Sequence, residues 1–487
     1  SRGRRKWAYR TPVFGMGCGT TKGAPPLRPY ESRKAVIEDT ALRALTLRQL
    51  KAFAAFLQRE LAASETLDAN KLSPSYGQRV TWEVLTMYHI CEHFVLPLTK
   101  PFRCSFVELV AEAGPQPPTW FVSHWWGARF RETVSLVSWH AQCHGLQEDS
   151  AYWVCTFANN QHNVCGELGG GILDSPFVRA IQHERCRGTV LLLDPQVTPM
   201  RRIWCVLEAY VTTIRAQDKR YDLCAVIPEG IQSSGKELVK SGPALLKDLG
   251  SGRSEELCEP DRGIFPFEVA EAGAQVNIAL AQASNEDDRR NILNLLAGGD
   301  ATTQDGVPPA CCEGYDTVNT VVRDRFRGRA MYICTWRNDA SGLKRLLEES
   351  TSGLDERSPI GATQAYVAAQ RSSVDCLRLL LEARCDFDCA LHDGNGPVHV
   401  AAERGHEECL RVLLEARAQA DRQSDYGMTP ARLAKGFGQQ GCLQLLRDAG
   451  AADVPDGGAP LSEEATLQRA TSVTSCCSQS SGEPVEP

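Results

Sequence analysis

The stretch GNGPVHVAAERGHEECLRVLLEARAQADRQSDY, residues 394–426, sets the architecture of the C-terminal third, because the chain repeats it when shifted by 33 positions. It falls into register with GATQAYVAAQRSSVDCLRLLLEARCDFDCALHD at 361–393 and GMTPARLAKGFGQQGCLQLLRDAGAAD at 427–453. Ala368 and Ala369 align with Ala401 and Ala402, then Ala434; Leu379 and Leu380 align with Val412 and Leu413, then Leu445 and Leu446. Small residues at a fixed register let helices approach closely, and the leucines give each unit an apolar face that only the next unit can cover. A degenerate earlier unit, GLKRLLEESTSGLDERSPI at 342–360, joins with a one-residue offset. Residues 336–453 therefore read as an all-α solenoid.

These units resemble ankyrin repeats. Gly394, Pro397, His399, Ala401, Ala402, Gly405, His406, Leu413 and Leu414 stand where that family's G-x-T-P-L-H-x-A-A-x-x-G-H…L-L pattern places them. The resemblance implies a protein partner bound through turn tips and inner helices: His392, Asp393 and Asn395 in one tip, Ser424, Asp425 and Tyr426 in the next. It also implies that His399 supports its turn by hydrogen bonding and takes no part in catalysis. Three clear repeats are near the minimum for an isolated stack, so the array is expected to lean on the segment before it.

Upstream, over 118–230, apolar strands alternate with amphipathic helices, the pattern of a doubly wound parallel sheet of flavodoxin-like type. The strands are TWFVSH (119–124), AYWVCTF (151–157), TVLLLD (189–194) and LCAVI (223–227), with helices at RETVSLVSWHAQCH (131–144) and from SPFVRAI (175–181). Thr198 and Pro199 read as the N-cap and first residue of a further helix, which places Glu208 about two and a half turns in. Glu208 shares a face with Trp204, Leu207 and Val211, while Val206 and Tyr210 cover another, so its carboxylate needs either a partner or a raised pKa.

WFVSHWWG (120–127), SPFVRAI and the W-C-x-x-E spacing of Trp204, Cys205 and Glu208 together resemble the Toll/interleukin-1 receptor (TIR) family. The resemblance implies two alternatives. In one, the domain assembles with itself or with similar domains, and Glu208 is a structural acid bonded to a neighbouring strand or to Arg201 or Arg202. In the other it cleaves NAD, with Glu208 catalytic and Ser123, Trp125, Trp126 and Trp204 binding the substrate. A carboxylate there suits an oxocarbenium-like transition state, and tryptophans at a strand's C-terminal end suit a planar base. This sequence departs from the pattern by having Trp125 and Trp126 where basic residues are usual, with Arg129 and Arg131 the nearest cations, and by ending its second strand in FANNQ without an acid. GELGGGILD (166–174) would supply a flexible loop.

The remainder sets limits. A chain of 487 residues with 43% hydrophobic content can bury several cores, and a net charge of -7 gives no signal for nucleic acid. No run is long and apolar enough for a membrane span. Twenty cysteines without a CxxC pair read as reduced thiols in the cytoplasm. His140 shares a helix face with Cys143 or His144, and zinc could accept these together with His162 and Cys165, but the two groups lie on different elements at spacings unlike structural zinc patterns, so no metal site is expected. MGCGTTK, from Met16, fits an acylation signal if translation starts there, with Gly17 myristoylated and Cys18 palmitoylated, which would hold the protein at a membrane. Residues 1–35 read as a basic arm, 36–117 as a helical subdomain, 231–335 as a mixed extension and 454–487 as a disordered tail. The expected function is an intracellular signalling or scaffold protein, with NAD hydrolysis as the alternative and no cofactor assigned.

Overall fold

The computed structural model describes residues 30–452, apart from 31, 64, 66, 69–75, 170, 228–229, 232–237, 240–241, 251–252, 259–264, 300–305 and 359–360. The proposed acylation site at Gly17 and Cys18 and the C-terminal tail lie outside the described residues. The chain divides into two compact units: residues 1–226 with 276–322, and 227–275 with 323–487. The segment expected to be one extension, 231–335, is therefore shared between them.

The first unit is built on a mixed sheet. Its strands are β1 (Leu45–Thr46), β2 (Trp120–His124), β3 (Ala151–Trp153), β4 (Gly188–Leu193) and β5 (Arg220–Ile227), in the order β1-β3-β2-β4-β5. β2 to β5 run parallel, but β1 pairs antiparallel with β3, so the sheet departs from the all-parallel expectation. The edge strand comes from the segment read as purely helical, since Leu45 and Thr46 precede the helix Leu47–Ala63. Later in the segment read as a helical subdomain, Met87–Ile90, Cys91–Val95 and Leu96–Thr99 run in succession and Val107–Val110 follows separately. Glu108 ties this region together: its buried carboxylate accepts from the Ile37 and Ser105 amides and pairs with Arg33.

β3 ends at Trp153, and Cys155–Ala158 turns helical, where a strand was expected to continue to Phe157. A short apolar run suits either conformation. The helix Pro176–Gln182 begins as anticipated, with Pro176 in its first turn. Thr198–Arg201 forms a single 3₁₀ turn instead, and the α-helix starts at Ile203, which puts Glu208 in its second turn. The break has a cause in the chain far downstream. The Ile203 amide donates to the Gln282 carbonyl at 2.9 Å, and the Gln282 amide donates to the Arg201 carbonyl at 2.8 Å.

Gly188 pairs with Arg220 across β4 and β5, so closely that a Cβ at 188 would sit 2.7 Å from the Arg220 carbonyl carbon. Gly188→Ala is expected to lower stability by about 1–3 kcal/mol, read as a lower melting temperature.

In the second unit, helix pairs repeat: Gln364–Arg371 with Val374–Glu382, Pro397–Arg404 with Glu407–Glu415, and Pro430–Gly436 with Gln440–Asp448. Left-handed residues recur at the same period, at Ser372, Gly405 and Gly438 between paired helices and at Gly361, Gly394 and Gly427 in the turn tips. Asn338 occupies the first of these positions for the degenerate unit, one residue out of step, which accounts for its offset. Ala368, Ala401 and Ala434 are buried without solvent contact, as are Leu380, Leu413 and Leu446, and they form one continuous core. His399 Nδ1 accepts the Gly396 amide at 3.1 Å, and its Nε2 lies 3.2 Å from the Met428 carbonyl, bracing adjacent turns.

Candidate functional site

Parallel strands leave their C-terminal ends open where the connections part to opposite sides of the sheet, and ligands gather there. In this unit the parting falls between β2 and β4, since the chain leaves β2 for β3 on one side and then crosses back to β4. A cavity of about 160 Å³ lies at this point, lined by Trp125 and Trp126 just beyond β2, by Cys155 and Asn159 beyond β3, and by Trp204 and Glu208 on the helix after β4. That is the size of cavity that admits a single aromatic ring.

Four of the five candidates are brought together here: Glu208, Trp125, Trp126 and Trp204 all line the cavity. Ser123, the fifth, stands directly behind Glu208, its Oγ donating to Glu208 Oε2 at 2.5 Å. Register explains the pairing. Side chains alternate across a strand, so Ser123, level with Leu191, faces the Glu208 helix, while its neighbour Val122, level with Val190 and Asp222, faces the opposite side.

Glu208 is 5% exposed. Burial pushes its carboxyl up to about 8, although hydrogen bonds from Ser123 and Cys205 pull the other way. Arg202, anticipated as a possible counter-charge, reaches Ser284 Oγ at 3.2 Å instead. The acid is therefore mostly protonated at neutral pH, and a positive charge arriving in the cavity would favour its ionised form. The nearby thiols offer no competing nucleophile, because burial pushes Cys155 up to about 12 and Cys205 well above its ordinary value.

The aromatic walls are fixed. Trp126 Nε1 donates to the Cys155 sulfur at 3.1 Å, and its ring meets Tyr88 edge-on at 5.6 Å. Trp204 packs on Phe177 at 5.0 Å and its Nε1 donates to Asp288 at 3.3 Å. Glu167, in the glycine-rich stretch read as a loop, is held by Arg43 at 2.6 Å.

Several lining residues were not anticipated. Asp288, with Asn285 and Gln282, arrives from 276–322, a segment whose sequence shows an amphipathic helix but carries no motif. Burial raises Asp288 to about 6. His124 and Asn159 matter in another way: His124 Nε2 and Asn159 Oδ1 are buried and have no hydrogen-bond partner among the described residues. Burial lowers His124 to about 4, so its ring is neutral. Its Nδ1 faces the Val122 carbonyl at 3.5 Å, the tautomer that leaves Nε2 as an acceptor. Two unfilled acceptors beside a cavity are the complement of a ligand's N–H groups.

In the repeat array, His392, Asp425 and Tyr426 are exposed, Tyr426 at 62%. Asn395 and Ser424 are buried within the turns: Asn395 Nδ2 donates to Asp393 at 2.7 Å, and Ser424 Oγ accepts the Met428 amide at 3.3 Å. His162, considered as a metal ligand, lies 2.8 Å from Thr99 Oγ1. Among the described residues, no helix is long and apolar enough to cross a membrane.

Residues 330–424 and 365–456 match the family model for ankyrin repeats (3 copies). The C-terminal region thus carries ankyrin repeats, which mediate protein–protein interaction in general. No curated protein matches the chain.

Proposed function

We propose that the α/β unit is a TIR-like NAD hydrolase whose cavity takes the nicotinamide ring, and that the ankyrin array holds a protein partner. The observation that carries this reading is Glu208, buried and braced by Ser123, at the edge of an aromatic cavity where the parallel strands end. The nicotinamide ring of NAD is planar and cationic, and its carboxamide carries an N–H₂ group. The tryptophans supply flat apolar walls, Asn159 Oδ1 and His124 Nε2 supply acceptors, and the ring's positive charge favours the ionised form of Glu208, whose proton passes to solvent.

Cleavage then breaks the bond between the ring nitrogen and the ribose carbon. The electron pair leaves with nicotinamide, which becomes neutral, and the positive charge passes to the sugar as an oxocarbenium ion. Glu208, now a carboxylate, stabilises that charge from the edge of the cavity. Water adds to the sugar carbon and releases a proton, giving ADP-ribose. The test is incubation of the full chain with NAD, following nicotinamide release. Absence of turnover in every assembly state leaves the scaffold reading, in which the unit serves self-association.

For the array, the exposed tips at His392, Asp425 and Tyr426 are the docking candidates. Proximity labelling with and without residues 336–453 is expected to change the partner set; an unchanged set counts against this assignment.

A further inference from the structure

At the other end of the same sheet, away from the cavity, three chemistry-bearing side chains meet. The helix Phe130–Cys143 starts near the C-terminal end of β2 and runs back along the sheet, carrying His140 in its last turn and His144 just after it. Four residues apart, the two imidazoles share one helix face. Both address a single atom: His140 Nε2 lies 3.0 Å and His144 Nε2 2.6 Å from Asp222 Oδ2, contributed by β5. The three ligand-type atoms all lie within 4.8 Å of one another. Tyr152 on β3 holds the far side of the first imidazole, its hydroxyl 2.9 Å from His140 Nδ1, and Trp120 packs against both rings at 4.5 and 4.8 Å.

We propose that His140, His144 and Asp222 form a zinc site that fastens this helix to β5. Two imidazole nitrogens and one carboxylate oxygen are the donor set that borderline divalent ions prefer, and paired histidines at i and i+4 with a carboxylate from another element satisfy three corners of a tetrahedron. The Tyr152 contact is the outer hydrogen bond that fixes the orientation of a ligating imidazole. Burial fits a structural role: the side chains of His140 and Asp222 have no solvent exposure, and His144, at 12%, is the side on which a fourth ligand such as water enters. A dication there also neutralises a carboxylate enclosed in the core. This site is independent of Glu208, which faces the opposite side of the sheet.

The full chain, purified with zinc present and dialysed free of loose metal, is expected to retain one equivalent by elemental mass spectrometry and to melt higher with zinc than without. His144→Ala is expected to lose that equivalent and the thermal shift, whereas His183→Ala, outside the cluster, keeps both. Tyr152→Phe leaves all three ligands in place and is expected to weaken zinc binding about tenfold. A wild-type chain with neither bound zinc nor a thermal shift overturns the proposal. Equal zinc in wild type and His144→Ala also overturns it, because the metal then sits on thiols elsewhere.

Discussion

Glu208→Gln is expected to reduce nicotinamide release from NAD by about 10²–10³-fold, the scale on which lost transition-state electrostatics are felt. The substitution preserves shape and retains an acceptor for the Ser123 hydroxyl, so far-ultraviolet circular dichroism should be unchanged. The pH dependence separates this role from a structural one. If the carboxylate is the active form, kcat/KM for wild type rises with pH up to about 8 and then levels.

Stability runs in the opposite direction. Glu208 keeps its proton in the folded state up to about 8, whereas the unfolded chain loses it near the ordinary glutamate value of 4.5. Between those limits the native state binds more protons than the unfolded one, so this group makes the apo protein less stable as pH rises, by about 1.4 kcal/mol per unit. The full penalty is present above pH 8 and is absent below the unfolded value. Glu208→Gln is expected to remove that contribution, seen as a flatter dependence of melting temperature on pH. A purely structural Glu208 would show the stability effect with no catalytic counterpart.

Leu413→Ala is the second large effect. The side chain is fully buried in the middle repeat, with Leu380 and Leu446 at the corresponding positions on either side. Truncation leaves a cavity and is expected to cost about 2–5 kcal/mol. Because each repeat is stabilised mainly by its neighbours, the loss spreads along the stack rather than staying local. Hydrogen exchange is expected to accelerate across 361–452. Tyr426→Ala, on an exposed tip, should move stability by no more than about 0.5 kcal/mol and so isolates partner binding from folding.

The repeats were legible because their information is periodic: equivalent alanines and leucines at one shift report burial directly. The four parallel strands were legible for a similar reason, as continuous apolar runs between helical patterns. Glu208 could be flagged as an acid on a covered helix, but its partner could not be chosen between a neighbouring strand and Arg201 or Arg202, and Ser123 could not be named, because that depends on register across the sheet. Thr198 and Pro199 carry a good local helix-start signal, yet the α-helix begins at Ile203, because what breaks it is backbone pairing with Gln282, some eighty residues later. His124 and Asn159 lie inside the quoted stretches WFVSHWWG and FANNQ, but nothing in the sequence singles them out; only their burial without hydrogen-bond partners among the described residues distinguishes them. The convergence of His140 and His144 on Asp222 was hidden because Asp222 sits in a strand read only for its apolar residues from Leu223 onward.

The backbone exchange between Arg201, Ile203 and Gln282 bears on where this chain can be cut. A fragment ending after β5 would keep every parallel strand and Glu208 itself. It would lack Gln282, Asn285 and Asp288, and with them one wall of the cavity and the strap that sets where the Glu208 helix begins. The functional boundary of the α/β unit is therefore not the end of its last strand but lies beyond residue 288, after the chain has left and come back.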